Sequence, residues 1–338
     1  MSRSSWFVRI VSCSLIMLGS VIPAMAAKPS ADYPPVTKPI TSFGAAALDG
    51  FVYVYGGHTG QAHRYSKQDV SPRFERLPIS GGKNWETLVG GPGLQSVALV
   101  THGGALYRVG GLSALNEVGE EAELVSVTDF YRYDTAKKVW TALKPLPEGR
   151  SSHDAIVSDG VLYVVGGWNL GKDKKWYDTS MSIKLDDPAA DWVALPKQNF
   201  QKRAIAVAAH RGRIYAIGGM KSDNQTTTEV AYFDVAKQVW VNGPSLPGNP
   251  MDGFGSAAVV AQDRLYATTM DGQLHRLSDD NSTWEAVGKL AQPRFFHRLV
   301  GTPDGILVIG GANMSTGHID SVELVTPATS AIAPTAGQ

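Results

Sequence analysis

Five short apolar runs in this chain each end on a pair of glycines. They are FVYVYGG at Gly56-Gly57, ALYRVGG at Gly110-Gly111, VLYVVGG at Gly166-Gly167, RIYAIGG at Gly218-Gly219 and GILVIGG at Gly310-Gly311. Valine, isoleucine, leucine and tyrosine fit a pleated, half-buried surface. Glycine weakens a strand and marks a place where the backbone bends or another backbone comes close. Successive pairs are 54, 56, 52 and 92 residues apart, so the last gap is nearly two periods. Near its middle, DRLYATTMDG (263–272) keeps the strand and Tyr266 but has Thr268-Thr269 where the glycines would be. The chain is therefore six copies of one unit.

Each copy carries further marks at steady offsets. An earlier apolar strand and a tight turn precede the run, as in ALDGFVY and IVSDGVLY, and Asp-Gly between strands is a hairpin signal. A variable loop and a third strand ending at an acidic turn come after the glycines, as in FYRYDTAKKVW and AYFDVAKQVW. A fourth strand is expected to start at Trp140, Trp192, Trp240 and Trp284, with Phe74 taking that place in the first copy. It ends in segments such as ALKPLPEGR. A lone four-stranded sheet exposes both faces, so neighbours must stack to bury them, and the stack closes into a ring. The expected fold is all-β: a six-bladed propeller with four antiparallel strands per blade.

Double glycine, an aromatic–acid pair and then tryptophan is the pattern of the kelch motif, and residues 33–325 resemble the kelch-repeat propellers. Arg150-Ser151-Ser152-His153 and Pro293-Arg294-Phe295-Phe296-His297 look like that family's P-R-x-x-H lead-in to strand one. The sixth copy stops after SVELV without a tryptophan strand. YPPVTKPITS (33–42) resembles the fourth-strand ends of other copies, so it is expected to supply the missing outer strand and close the ring. The propeller is placed at 27–325. The small, polar tail 326–338 is expected to be disordered.

Arg3 and Arg9, a short apolar core from Val11 to Ile22 and Ala24-Met25-Ala26 read as a signal peptide, residues 1–26, cleaved after Ala26. The apolar stretch is short of the ~20 residues a spanning helix needs. The destination expected is secreted or periplasmic, without membrane attachment after cleavage. Cys13 is the only cysteine, so the mature chain would have no disulfide, thiolate metal site or cysteine nucleophile. The 31 basic and 31 acidic residues balance, whereas a nucleic-acid partner calls for a basic surface. The eight histidines are scattered over the copies, and neither a metal nor another cofactor is expected. A monomer is expected.

In such a blade the 1–2 and 3–4 turns lie on one face, and the 2–3 and 4–1 loops on the other. The first set is short and stereotyped. The second is variable, and loops held by a rigid scaffold tend to carry function. The 4–1 loops deliver Arg150, Arg203 and Arg294 at positions read as equivalent, followed by His153 and His297 on strand one, while Trp168 begins a 2–3 loop. An arginine fork suits carboxylates and other anions. The same arginines could instead hold backbone carbonyls or a neighbouring blade's acid. The ligand expected is an acidic small molecule or sugar, or a protein or peptide, held by Arg150, His153, Trp168, Arg203, Arg294 and His297.

The function expected is that of a ligand- or protein-binding module. The alternative is a sugar mutarotase, since export, six blades and channel arginines also resemble the exported kelch N-acetylneuraminate epimerases. The pattern of that family has a glutamate after a strand-two glycine and an arginine several residues later. Met220 and Thr226–Thr228 stand at those places here. No G-x-S-x-G elbow is present, and the tyrosine–cysteine crosslink of the copper radical oxidases lacks its cysteine.

Overall fold

Residues 33–171 and 174–329 are described by a computed structural model. The sequence predicts strands wherever the apolar runs fall, and six antiparallel sheets form there. Their innermost strands are Gly44–Leu48, Ala98–His102, Asp154–Ser158, Ala206–His210, Ala258–Ala261 and Arg298–Thr302. Each touches the next, and the last touches the first. Five sheets have four strands and the sixth has three, Arg298–Thr302, Gly305–Ile309 and Val322–Val325. The molecule is a six-bladed propeller. The expected signal peptide, 1–26, lies outside the described residues.

Period-two alternation builds the core between blades. Along Ala105–Val109, Leu106 packs back against Tyr53 and Tyr55 of blade 1. Ala105, Tyr107 and Val109 pack forward against Leu162 and Val164 of blade 3. Fully buried side chains of this kind each contribute roughly 1.5–3 kcal/mol relative to exposure. One strand thus welds two interfaces, and its one charged residue, Arg108, is buried with its guanidinium on Tyr55 of blade 1 and Asp129.

The paired glycines answer to close approach. The Gly111 N–H donates to the Arg150 carbonyl of the next blade at 2.9 Å, and the Gly167 N–H to the Lys202 carbonyl at 2.8 Å. A Cβ on Gly110 would sit 2.4 Å from that Arg150 oxygen, and one on Gly167 would sit 2.6 Å from the Ser151 oxygen of its own blade. Both glycines also have positive φ. The first admits the next blade's lead-in and the second admits its own.

Each fourth-strand tryptophan reaches back to the preceding blade. The indole N–H of Trp140 donates to Val89, Trp192 to Lys144, Trp240 to Pro196 and Trp284 to Pro244, at 2.8–3.2 Å. In blade 1 this residue is Trp85, which donates to the Pro34 carbonyl at 3.2 Å just before the strand Glu86–Thr87. Phe74 does not take that place. It opens the third strand, and Trp85 follows it at the same offset by which Trp192 follows Met181 and Trp284 follows Gln273.

Residues 33–42 do not appear as a strand of the sixth sheet. They run where a fourth strand's trailing segment runs in other blades. The Val36 N–H donates to Asp320, and Ile40 accepts from the Gly311 N–H at 2.8 Å. Val36, Ile40 and Phe43 join a core with Val52 and Val54 of blade 1 and Leu307 and Ile309 of blade 6. Of the expected tail, residues 326–329 lie beside blade 5, with the Ala328 N–H on the Val287 carbonyl at 2.7 Å. The remainder is outside the described residues.

Candidate functional site

The lead-ins to the six inner strands form a collar round the channel. In five blades the residue after the paired glycines bridges to the lead-in: Thr41 with His58, Gln95 with Leu112, Ser151 with Trp168, Arg203 with Met220 and Phe295 with Ala312. The next residue has a left-handed backbone in every blade: Ser42, Ser96, Ser152, Ala204, Gly255 and Phe296, with φ from 50° to 62°. That conformation turns consecutive N–H and C=O groups around the ring. Ser42 donates to Phe296, Ser96 to Ser42, Ser152 to Ser96, Ala204 to Ser152 and Phe296 to Gly255.

Above the collar is a cavity of about 350 Å³. His153, Trp168, Arg203 and His297 line it, but Arg150 and Arg294 do not. The three arginines are not equivalent. Arg150 and Arg294 stand one residue before the bridging position, where the side chain turns away from the mouth into the blade. Arg150 is 2% exposed, donates to the Gly166 and Thr179 carbonyls and lies 3.7 Å over the Tyr177 ring. Arg294, 1% exposed, donates to the Gly310 carbonyl, Ser321 Oγ and Glu323. In blade 4 that inward place belongs to Lys202, which donates to the Glu229 carbonyl at 2.9 Å. Arg203 is the next residue, and a step of one reverses the face.

Arg203 faces the mouth with its guanidinium 4.2 Å from the Trp168 ring and 5.5 Å from that of Trp176. Among the described residues its side chain donates to the Met220 sulfur at 3.1 Å. Burial lowers its pKa, and no carboxylate is paired with it among the described ion pairs. Buried polar atoms without partners among the residues lining this cavity are Gln95 Nε2, both His153 ring nitrogens, Trp168 Nε1, Arg203 Nε, Ser256 Oγ and His297 Nδ1. His297 Nε2 meets Thr268 Oγ1 at 2.9 Å. Burial, then the charges of Arg150 and Arg298, push His153 down to about 3. His297 is likewise pushed to about 3 by burial and by Arg294 and Arg298. Both rings are neutral at physiological pH.

The floor is a single side chain. Arg298 crosses the channel to both oxygens of Asp154, at 3.0 Å each, and donates to the Phe43 carbonyl at 2.8 Å. Asp154 also accepts from the Val207 N–H. Blades 1, 3, 4 and 6 are tied through this pair, which separates the mouth from a second space of about 570 Å³ lined by the inner strands.

Sequence reasoning missed Gln95, Phe254, Ser256, Phe296 and Arg298, all of which line the mouth. Aligning the lead-ins on their glycine-pair partners, rather than on arginine, would have put Gln95 at the position equivalent to Arg203. No local signal marks Arg298, whose partner lies 144 residues away.

Fold and site together define a propeller with a recessed, cation-bearing mouth closed below by an ion pair. The family model of the KLHDC2/KLHL20/DRC7 Kelch-repeats domain matches residues 91–313, and the chain belongs to this kelch-repeat family. It is 27% identical over 222 residues to Kelch-like protein 41b of Danio rerio, covering 64% of this chain and 35% of that protein. It is 26% identical over 251 residues to Kelch-like protein 35 of Mus musculus, covering 74% and 36%. The chain thus spans about a third of the length of these relatives. Among solved structures, that of YjhT superposes with a TM-score of 0.71 at 18% identity, over 87% of this chain and 97% of that one. Kelch domains generally bind proteins.

Proposed function

We propose that this protein is an exported kelch-repeat binding module whose mouth holds an anionic, acceptor-rich ligand. One observation carries the reading. Unpartnered buried polar atoms share the mouth with Arg203, a half-buried cation with no carboxylate partner among the described ion pairs. Buried polar groups are nearly always satisfied, and a cluster of exceptions calls for an external partner. The exceptions are chiefly N–H groups, so the partner supplies oxygens. A carboxylate meets Arg203 through charge-assisted bonds, and Trp168 and Gln95, which line the same cavity, carry further donors. His153 and His297 stay neutral and add no charge. The ligand is a small acid or an acidic group of a protein segment.

The mutarotase reading needs an acid–base group at the sugar. Met220 stands where the related pattern has glutamate, and no aspartate or glutamate is among the residues described as lining the mouth. Both mouth histidines are too weakly basic to serve at neutral pH. Binding without chemistry is the better-supported reading.

Calorimetry of the mature protein with short carboxylic acids tests it. Arg203→Gln is expected to weaken carboxylate binding at least tenfold while the melting temperature stays within a few degrees. Equal affinity in parent and variant would overturn the assignment.

A further inference from the structure

The collar has one outlier. At its six left-handed positions five blades carry Ser42, Ser96, Ser152, Ala204 and Gly255, but blade 6 carries Phe296 with φ 54°. Positive φ is uncommon for any non-glycine residue and a true outlier for a bulky one. Such strain persists where the surroundings impose it, and it clusters at ligand clamps. Here the backbone is fixed from both sides, by the Phe296 N–H on Gly255 and the Ser42 N–H on Phe296. The ring is thereby set on the mouth wall.

Phe296 is not isolated. Its ring centroid is 5.0 Å from that of Phe254 and 5.2 Å from that of Phe295, both near edge-to-face. All three rings are half-exposed, and Met314 on the adjoining loop is 77% exposed. Blades 5 and 6 thus give one side of the mouth an aromatic shelf, while blades 3 and 4 give the other Arg203 between two tryptophans. Phe254, Phe296 and Arg203 line the same cavity of about 350 Å³.

We propose that the mouth selects a carboxylate joined to a bulky apolar group, the carboxylate on Arg203 and the apolar group on the Phe254–Phe296 shelf, which Phe295 backs from behind. This rests on the reading of Arg203 as an anion site. Charge complementarity fixes one end of the ligand, and the strained phenylalanine fixes the other. A polyhydroxylated acid leaves its hydroxyls against phenyl rings that can accept no ordinary hydrogen bond, so it is disfavoured. The cavity suits a small aryl or branched-alkyl acid, or the same pair of groups within a peptide.

The test compares 3-phenylpropionate, propionate and gluconate by calorimetry on the mature protein, with an acetylated Ala-Phe-Glu-Ala amide as the peptide arm. Phenylpropionate is expected to bind at least tenfold more tightly than either other acid. Phe296→Ser, which installs the residue of three sister blades, is expected to erase that preference with the melting temperature unchanged or raised. Should that variant not fold, Phe254→Ala carries the same comparison. Displacement of phenylpropionate by the peptide assigns the source to a protein segment, and its failure assigns a free acid. Gluconate binding as tightly as phenylpropionate, or a preference that survives both substitutions, overturns the proposal. If those results come with Arg203-dependent binding, the anion site stands and only the shelf falls. If no carboxylate binds the parent, the anion site itself is wrong.

Discussion

The lead-ins of blades 3 and 4 perform the same structural task with sequences offset by one residue. In blade 3, Arg150 is the buried strut and Ser151, the bridging residue, is itself fully buried with its Oγ 2.8 Å from Ser126 Oγ. In blade 4, Lys202 is the strut and Arg203 faces the mouth. The strut holds its own blade's third-strand entry by its carbonyls, at Gly166 and Thr179 in one case and Glu229 in the other. The next position varies, as Thr41, Gln95, Ser151, Arg203, Phe254 and Phe295 show, and of these Gln95, Arg203 and Phe254 line the mouth. A cation therefore means scaffold at one position and site at the next.

Removing a whole lead-in gives the largest effect. Blade 1 takes its lead-in from residues 33–42, which bond to Asp320 and Gly311 across the junction with blade 6. We propose that this segment holds the ring shut. Deleting Tyr33–Thr41 strips Val36 and Ile40 from the core they share with Leu307 and Ile309 and opens that apolar surface to water. Aggregation or loss of cooperative melting is expected in scanning calorimetry. A deletion protein that melts like the parent would show that the junction holds without the segment.

Single struts come next. Arg294→Met leaves Glu323 without its charge partner and the Gly310 carbonyl without its donor. Breaking a buried ion pair from one side costs about 3–5 kcal/mol, so chemical denaturation is expected to show a loss of that order. Arg203→Met, by the same measurement, is expected to lose under about 1 kcal/mol. Equal losses would dissolve the distinction between strut and site.

Two residues beyond Ser151 and Arg203, the lead-ins differ again: His153 against Ile205. His153 is held at about 3 in the folded protein, below its ordinary 6.5. Below pH 6.5 the unfolded chain takes up a proton that the folded chain refuses. Stability thus falls with falling pH, by about 1.4 kcal/mol per unit per histidine, until the folded value is reached. His297 adds the same slope. Melting temperatures between pH 7 and 4 are expected to fall, and His153→Ile, borrowing the blade 4 residue, is expected to make that fall shallower. An unchanged slope would mean that His153 is protonated in the folded state.

The repeat made the architecture legible, because the glycine pair and the tryptophan both serve contacts that recur in every blade. The single misassigned tryptophan, Phe74 for Trp85, lies in a copy whose ERLPISGGKNW turn lacks the aromatic–acid pair of FYRYDTAKKVW, so the mark that points to the tryptophan elsewhere is missing. The mouth was only half legible. His153 and Trp168 sit in repeating frames, so their places could be counted. Arg203 was named for the wrong reason, through a supposed equivalence with Arg150 and Arg294. The Asp154–Arg298 floor and the Phe254–Phe296 shelf join blades far apart in the chain, and no local pattern reports such pairs.

The smallest expected change in stability is also the most discriminating. The double substitution Lys202→Arg with Arg203→Ser rewrites the blade 4 lead-in as that of blade 3. The strut keeps a cation with a long stem, now with a fork able to reach the Glu229 carbonyl from the same position. Serine at the bridging position is already tolerated at Ser151, which is fully buried there. Net charge falls by one, but the lost guanidinium has no carboxylate partner among the described ion pairs, so no acid is stranded. Stability is expected to stay within about 1 kcal/mol of the parent, the range of a substitution that touches no named destabilising mechanism. Carboxylate binding is expected to vanish at concentrations that saturate the parent, because the anion has lost its fork. Retained binding would shift the anion's partner to another mouth group. A large loss of stability with the strut cation intact would show that Arg203 between its two tryptophans is itself part of the scaffold.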